Sequence, residues 1–235
     1  MRLPDTPGLV LLAWLFVLLP WSALRSARVI AAHRAKGGAA LPVSRTALWV
    51  QTLVLMAALL AFAWWVGTGF GFAPFARPAL GARECALAAA ALAVCFGLRA
   101  VGRALRTPEE RRRLVVFALA PRTPRERGLA ILTILAASVA EEVAYRGVAW
   151  SILTWSLGNP WLAAFLCAGA FAAAHAVQGG KSTLVVFALG LVLHALVALT
   201  GTLLLAMAVH AAYDLVAGHL IREEALRQDA AAVGP

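Results

Sequence analysis

Apolar runs of about 17 to 25 residues, each long enough to cross a bilayer, recur along the whole chain and are parted by short clusters of Arg, Pro or Gly. No other feature restricts the fold as much, because irregular or open-edged structure cannot face lipid. The expected fold is all-α: a polytopic transmembrane helical bundle of about seven spans. Composition agrees, with 62% hydrophobic and 14% charged residues, against about 45–50% and about 25% in soluble domains.

The formal charge of +10 and pI near 11.1 raise nucleic-acid binding and then exclude it. The arginines lie in loops between apolar runs, as the positive-inside rule requires, and form no basic patch interleaved with aromatic residues on a soluble face. Cys85, Cys95 and Cys167 lie within apolar runs without a CxxC pair, so neither a disulfide framework nor a thiolate zinc site is indicated.

Arg2 is offset by Asp5 ahead of the first run, and the basic cluster follows that run, which favours a retained first span over a cleaved signal peptide despite Pro20. The spans are read as Gly8 to Ile30, Thr46 to Val66, Glu84 to Leu105, Ala130 to Leu157, Trp161 to Val177, Thr183 to Leu199 and Leu203 to Ile221. Arg25, Arg28, Arg34 and Lys36 follow or overlap the end of the first span, and the arginines from Arg103 to Arg127 follow the third. Both clusters, and the tail with Arg222 and Arg227, place those ends in the cytoplasm and the N-terminus outside. A bacterial inner membrane is the expected location. The loop from Gly67 through Ala73 to Pro74 is a glycine-rich outer turn, and Gln178 to Ser182 a cytoplasmic one. Pro124, with Glu126 in the first turn, opens the fourth helix. The chain divides into front helices and a basic loop (1–123), a helical core (124–222) and a tail (223–235).

A charge at the centre of a bilayer costs about 2.5–3.5 kcal/mol, so charges inside spans are functional candidates. The fourth span holds Glu141, Glu142 and Arg146. Glu142 and Arg146, four apart, share a face within ion-pairing reach and are expected to clamp neighbouring spans. Glu141 lies about 100° further round without a local partner and is left free for chemistry. Phe171 and His175 share a face of the fifth span, across three alanines that leave room for a neighbour. His210 and Asp214 share a face of the seventh, where a carboxylate can orient an imidazole or both can bind one ion. His194, with no accompanying carboxylate, is read as structural. There is no HExxH, GxSxG or complete phosphate-binding loop at Gly180-Lys181-Ser182.

Taken in order, Glu141-Glu142-x-x-x-Arg146-Gly147, Phe171-x-x-x-His175 and His210-x-x-x-Asp214 resemble the three signature motifs of the CAAX protease and bacteriocin-processing (CPBP, or abortive-infection) family of intramembrane endopeptidases. The resemblance covers about residues 125 to 220, including Thr200-Gly201-Thr202, and leaves the first three spans unassigned. It implies that Glu141 activates water, that His175 helps hold the water, and that His210 with its partner four residues on stabilises the oxyanion. Glu142, Arg146 and Phe171 support the site. Many members carry Asn where this chain has Asp214, and an ionised Asp cannot donate to an oxyanion, so Asp214 is expected to orient or charge His210 unless it stays protonated.

No cofactor is favoured. A Zn2+ ion held by His175, His210 and Glu141 is the alternative, since two imidazoles and a carboxylate with an open position make a workable zinc site. The implied partners are the lipid bilayer and a membrane-associated or lipidated peptide such as a CAAX end, a bacteriocin leader or a sorting signal. Two readings compete with the peptidase: a non-catalytic immunity or binding protein of the same fold, and an ion-coupled transporter, weakened by the absence of internal repeats. One tension accompanies the site. Glu141 falls about 20 Å along its helix from Arg127, whereas His175 is a few residues from a turn. The depths agree if residues 124–130 lie in the interface or the fourth helix tilts.

Overall fold

A computed structural model describes residues 4–35, 43–72 and 81–233. The readings of Arg2, Lys36, Ala73 and Pro74, and of the Arg34 side chain, fall outside the described residues.

The chain forms seven long helices with no strand among the described residues. α1 is continuous over residues 6–35, with a π-helical stretch at Trp14–Leu18. α2 is Arg45–Gly69 and α3 is Ala82–Ala104. Two short helices follow, α4 (Pro108–Arg112) and α5 (Val115–Leu119). The second half consists of α6 (Pro124–Leu157), α7 (Pro160–Ala174), α8 (Gly180–Thr200) and α9 (Leu203–Val233). Six of the long helices are apolar and long enough to cross a membrane, and α7 is the shorter apolar one. The polytopic bundle of about seven spans is therefore observed.

Helix ends follow local chemistry. The Ser44 hydroxyl caps α2 by accepting from Ala47 N–H, and Thr123 with Glu126 forms a reciprocal capping box at α6, ahead of Pro124. Gly158 (φ 67°) and Gly201 (φ 68°) end α6 and α8 in the left-handed region, where a side chain would be strained. Asn159 then caps α7 by accepting from the N–H groups of Trp161 and Leu162.

α6 is the central helix. Within its apolar window 44% of residues are buried, against 17% for α2 and for α3, and it packs on α1, α2, α7, α8 and α9. Residues 142–149 are all buried, and there α6 widens into a π-helix, a local change often found at functional sites. The front helices are integral to the packing: α1 and α2 flank α6 and α7, while α3 lies against α8 and α9.

Three features depart from the sequence reading. The basic segment after α3 is folded, because Thr107 and Glu110 cap α4 reciprocally. Lys181 Nζ at 2.8 Å from Glu110 and Arg106 Nη2 at 2.8 Å from the Ser182 hydroxyl tie it to the start of α8. The seventh helix continues through the tail to Val233, where Arg122 pairs with Asp229 at 2.6 Å. The fifth helix ends at Ala174 rather than Val177. His175 N–H bonds to Ala172 C=O, and a 3-10 turn over Ala176–Gln178 leads to Gly179 at φ 90°.

Candidate active site

α7 ends three residues short of Val177. Its 15 residues span only about 22 Å at 1.5 Å per residue, less than the roughly 30 Å of a hydrocarbon core. His175 thus follows directly on a helix shorter than a full crossing. A cavity of about 700 Å³ joins this tip to α6, and its wall includes Arg127, Ile134, Glu141, His175, His210 and Asp214. From Arg127 to Glu141 that wall runs about 20 Å along α6. At the arginine-rich end of the bundle it is lined by residues of α5 and by Arg106 and Arg111.

His210 is the hub of the cluster. Its Nδ1 lies 2.8 Å from Glu142 Oε1, and its Nε2 faces Glu141 Oε2 at 3.7 Å and Asp214 Oδ2 at 3.4 Å. A carboxylate can only accept, so the short contact places a proton on Nδ1. Glu142 Oε1 also accepts from Arg146 Nη1 at 3.1 Å, and both of those side chains are fully buried. The expected Glu142–Arg146 pair is present. It has a third member that sequence spacing did not indicate, because His210 arrives from 68 residues away. The carboxylate that orients His210 is therefore Glu142, with Asp214 on the opposite edge of the ring.

Phe171 fixes the layout of the charged groups around it. The Arg146 guanidinium carbon lies 4.3 Å from its ring centroid, a favourable cation–π contact where water is excluded. Tyr145 meets the ring edge-on at 5.3 Å, His175 lies at 4.6 Å and His210 at 6.1 Å. His175 donates from Nδ1 to the Phe171 carbonyl at 2.8 Å, which leaves Nε2 as the free nitrogen. Glu141 is half-buried, with its side chain 13% exposed, while Asp214 is 35% exposed. Glu141, Phe171, His175, His210 and Asp214 thus share one cavity, with Glu142 and Arg146 beneath them.

The resemblance can now be set beside a direct comparison. Residues 124–216 match the family model described as Type II CAAX prenyl endopeptidase Rce1-like. This Rce1-like segment runs from the first residue of α6 to two residues beyond Asp214, so it holds every member of the cluster and excludes α1 to α5. No curated protein and no solved structure matches the chain.

Outside the Rce1-like segment, Arg99 on α3 lines the cavity, as does Tyr213 on α9 within it. Arg99 is a charge inside an apolar run, so the rule that singled out Glu141 also applied to it. Tyr213 gave no such signal. His194 is outside the cavity wall, 1% exposed, with Nδ1 2.9 Å from Gly190 C=O of its own helix. Among the described residues no group of three or more His, Cys, Asp or Glu is arranged to hold a metal ion.

Proposed function

We propose that this chain is an intramembrane endopeptidase of the CPBP type, hydrolysing a peptide bond near the end of a membrane-associated or lipidated peptide. The observation that carries this reading is the convergence of Glu141, His175 and His210 on one wall of a deep, largely apolar cavity. Burial next to imidazoles suits a general base, and a largely apolar lining strengthens the electrostatic interactions of the polar groups that face it.

Glu141 accepts a proton from a water positioned between its carboxylate and His175 Nε2. The water oxygen attacks the scissile carbonyl carbon, and the carbonyl becomes a tetrahedral oxyanion. His210, held at Nδ1 by Glu142, presents Nε2 toward that oxygen and donates to it when protonated. Collapse breaks the C–N bond, and the proton on Glu141 passes to the leaving nitrogen. Asp214 meets His210 Nε2 from the other side at 3.4 Å and orients the ring. The apolar wall formed by Met56, Ile134, Val186 and Leu193 accommodates hydrocarbon or apolar side chains. By the positive-inside rule the arginine-rich end faces the cytoplasm, and the substrate enters from that side. Had a metal a part, His175, His210 and Glu141 would hold it.

The test is peptide mass spectrometry on membranes of cells carrying the wild-type chain or Glu141→Gln. Loss of a general base costs about 10²–10⁴ in rate, so cleaved termini should vanish in a variant that still folds and binds. An unchanged peptide profile would identify a binding or immunity protein instead.

A further inference from the structure

Beneath His210, away from the cavity, lies a layer of buried polar atoms that the hydrolytic scheme leaves unused. Glu142 Oε2, Tyr145 Oη, Arg146 Nε, Arg146 Nη2 and His194 Nε2 are buried without a hydrogen-bond partner among the described residues. Their side chains belong to one neighbourhood: Gly190, whose carbonyl meets His194 Nδ1 at 2.9 Å, has Arg146 Nη2 3.4 Å from where a Cβ would stand, and Arg146 is paired with Glu142 at 3.1 Å. Trp150 meets that ring edge-on at 5.6 Å. A buried polar group left unsatisfied is costly, and several in one place call for a shared partner.

Donor and acceptor chemistry identifies that partner. His194 donates from Nδ1 to Gly190 C=O at 2.9 Å, so in the neutral ring Nε2 carries a lone pair. Nε2 and Glu142 Oε2 are both acceptors and cannot bond to one another. Arg146 has only donors to offer. A chloride ion accepts only, and Glu142 already neutralises Arg146. A water molecule accepts one bond and donates two, in line with the roughly three bonds typical of buried waters.

We propose that Arg146 and His194 bind one buried water, which accepts from Arg146 Nη2 and donates to His194 Nε2 and Glu142 Oε2. The water fixes the second oxygen of the carboxylate whose first oxygen holds His210. His194 is then a positioning residue, acting through Glu142 on the imidazole at the cavity wall. Its site is the chain's own, but its consequence for turnover rests on the peptidase reading above.

Two variants and two readouts separate these layers. His194→Phe keeps a flat ring against Trp150 and removes the acceptor, whereas His194→Gln retains one. A high-resolution structure of the wild-type chain should show one water within about 3.2 Å of both His194 Nε2 and Arg146 Nη2. Nitrogen-15 NMR should show His194 protonated at Nδ1 alone, and a His210 Nδ1 proton that is sharp in the wild type and in His194→Gln but broadened or shifted in His194→Phe. If turnover is measurable, His194→Phe should lose about 10–100-fold in kcat with little change in KM, as losses behind a functional imidazole typically do, and His194→Gln should recover most of it. An empty density at that position, a doubly protonated His194, or a His210 proton unmoved by His194→Phe overturns the proposal. If His194→Phe does not fold, the wild-type map and tautomer decide alone. Inactivity of the wild type on every peptide, with the water in place, would refute the peptidase reading and leave the water site standing.

Discussion

Replacing Arg146 with Met measures how dry the layer under His210 is. Met preserves length and apolar bulk but removes the cation from a pair that is 3.1 Å apart and fully buried on both sides. Two magnitudes compete for the expected effect. An exposed i,i+4 ion pair on a helix is worth about 0.3–0.5 kcal/mol, whereas removing one member of a buried ion pair costs about 3–5 kcal/mol because the other charge stays behind without it. The complete burial of Glu142 and Arg146 places this pair in the second class, and the cation–π contact to Phe171 is lost with it. Because His210 still bonds Glu142 at 2.8 Å in the variant, the expected loss lies at the lower end, about 3 kcal/mol, or roughly a hundredfold in the folding equilibrium. Glu142→Gln combined with Arg146→Met leaves no orphaned charge, so a double-mutant cycle should return a coupling of about 2–3 kcal/mol. Unfolding in mixed detergent micelles, followed through the fluorescence of the chain's 8 tryptophans, gives both values. A cost below about 1 kcal/mol for Arg146→Met, or a double variant no more stable than the single one, would refute a desolvated pair.

Other expectations concern the same core. A Cβ at Gly147 would overlap the Phe72 ring and lie 3.2 Å from Leu203 Cδ1, so Gly147→Ala should cost about 1–3 kcal/mol, and adding Phe72→Leu should recover part of it in the same unfolding assay. Asp214→Asn supplies a donor beside His210 Nε2, so its kcat/KM should stay within about tenfold of wild type, whereas Asp214→Ala should lose about 10²–10³ if that side chain aids the oxyanion. Chelation should leave turnover unchanged along the route proposed here; loss on chelation and recovery with Zn2+ would instead make His175, His210 and Glu141 metal ligands.

What the sequence revealed depended on how far each partner lies along the chain. The Glu142–Arg146 pair was readable because four helical residues bring two side chains to one face, and Glu141 stood out as the neighbour without a local partner. The bond from His210 to Glu142 was not readable, since residues 68 apart meet only once α6 and α9 have packed. The reciprocal cap at Thr107-Pro108-Glu109-Glu110 was visible as a motif, yet the density of arginine around it made the segment look like an open loop. The π-helical turn at Glu142–Ala149 has no residue signature, because it arises from how α6 fits its neighbours. The early end of α7 was hidden because Val177 is as apolar as the alanines before it, and the stop comes from the turn leading to Gly179.

That short fifth helix acts as a ruler. The height of its imidazole in the bilayer is set by counting residues down from Asn159, independently of where Glu141 sits on its own longer rod. One extra turn would carry His175 about 5 Å away from its acidic neighbour, so the register between two helices depends on the length of the shorter one.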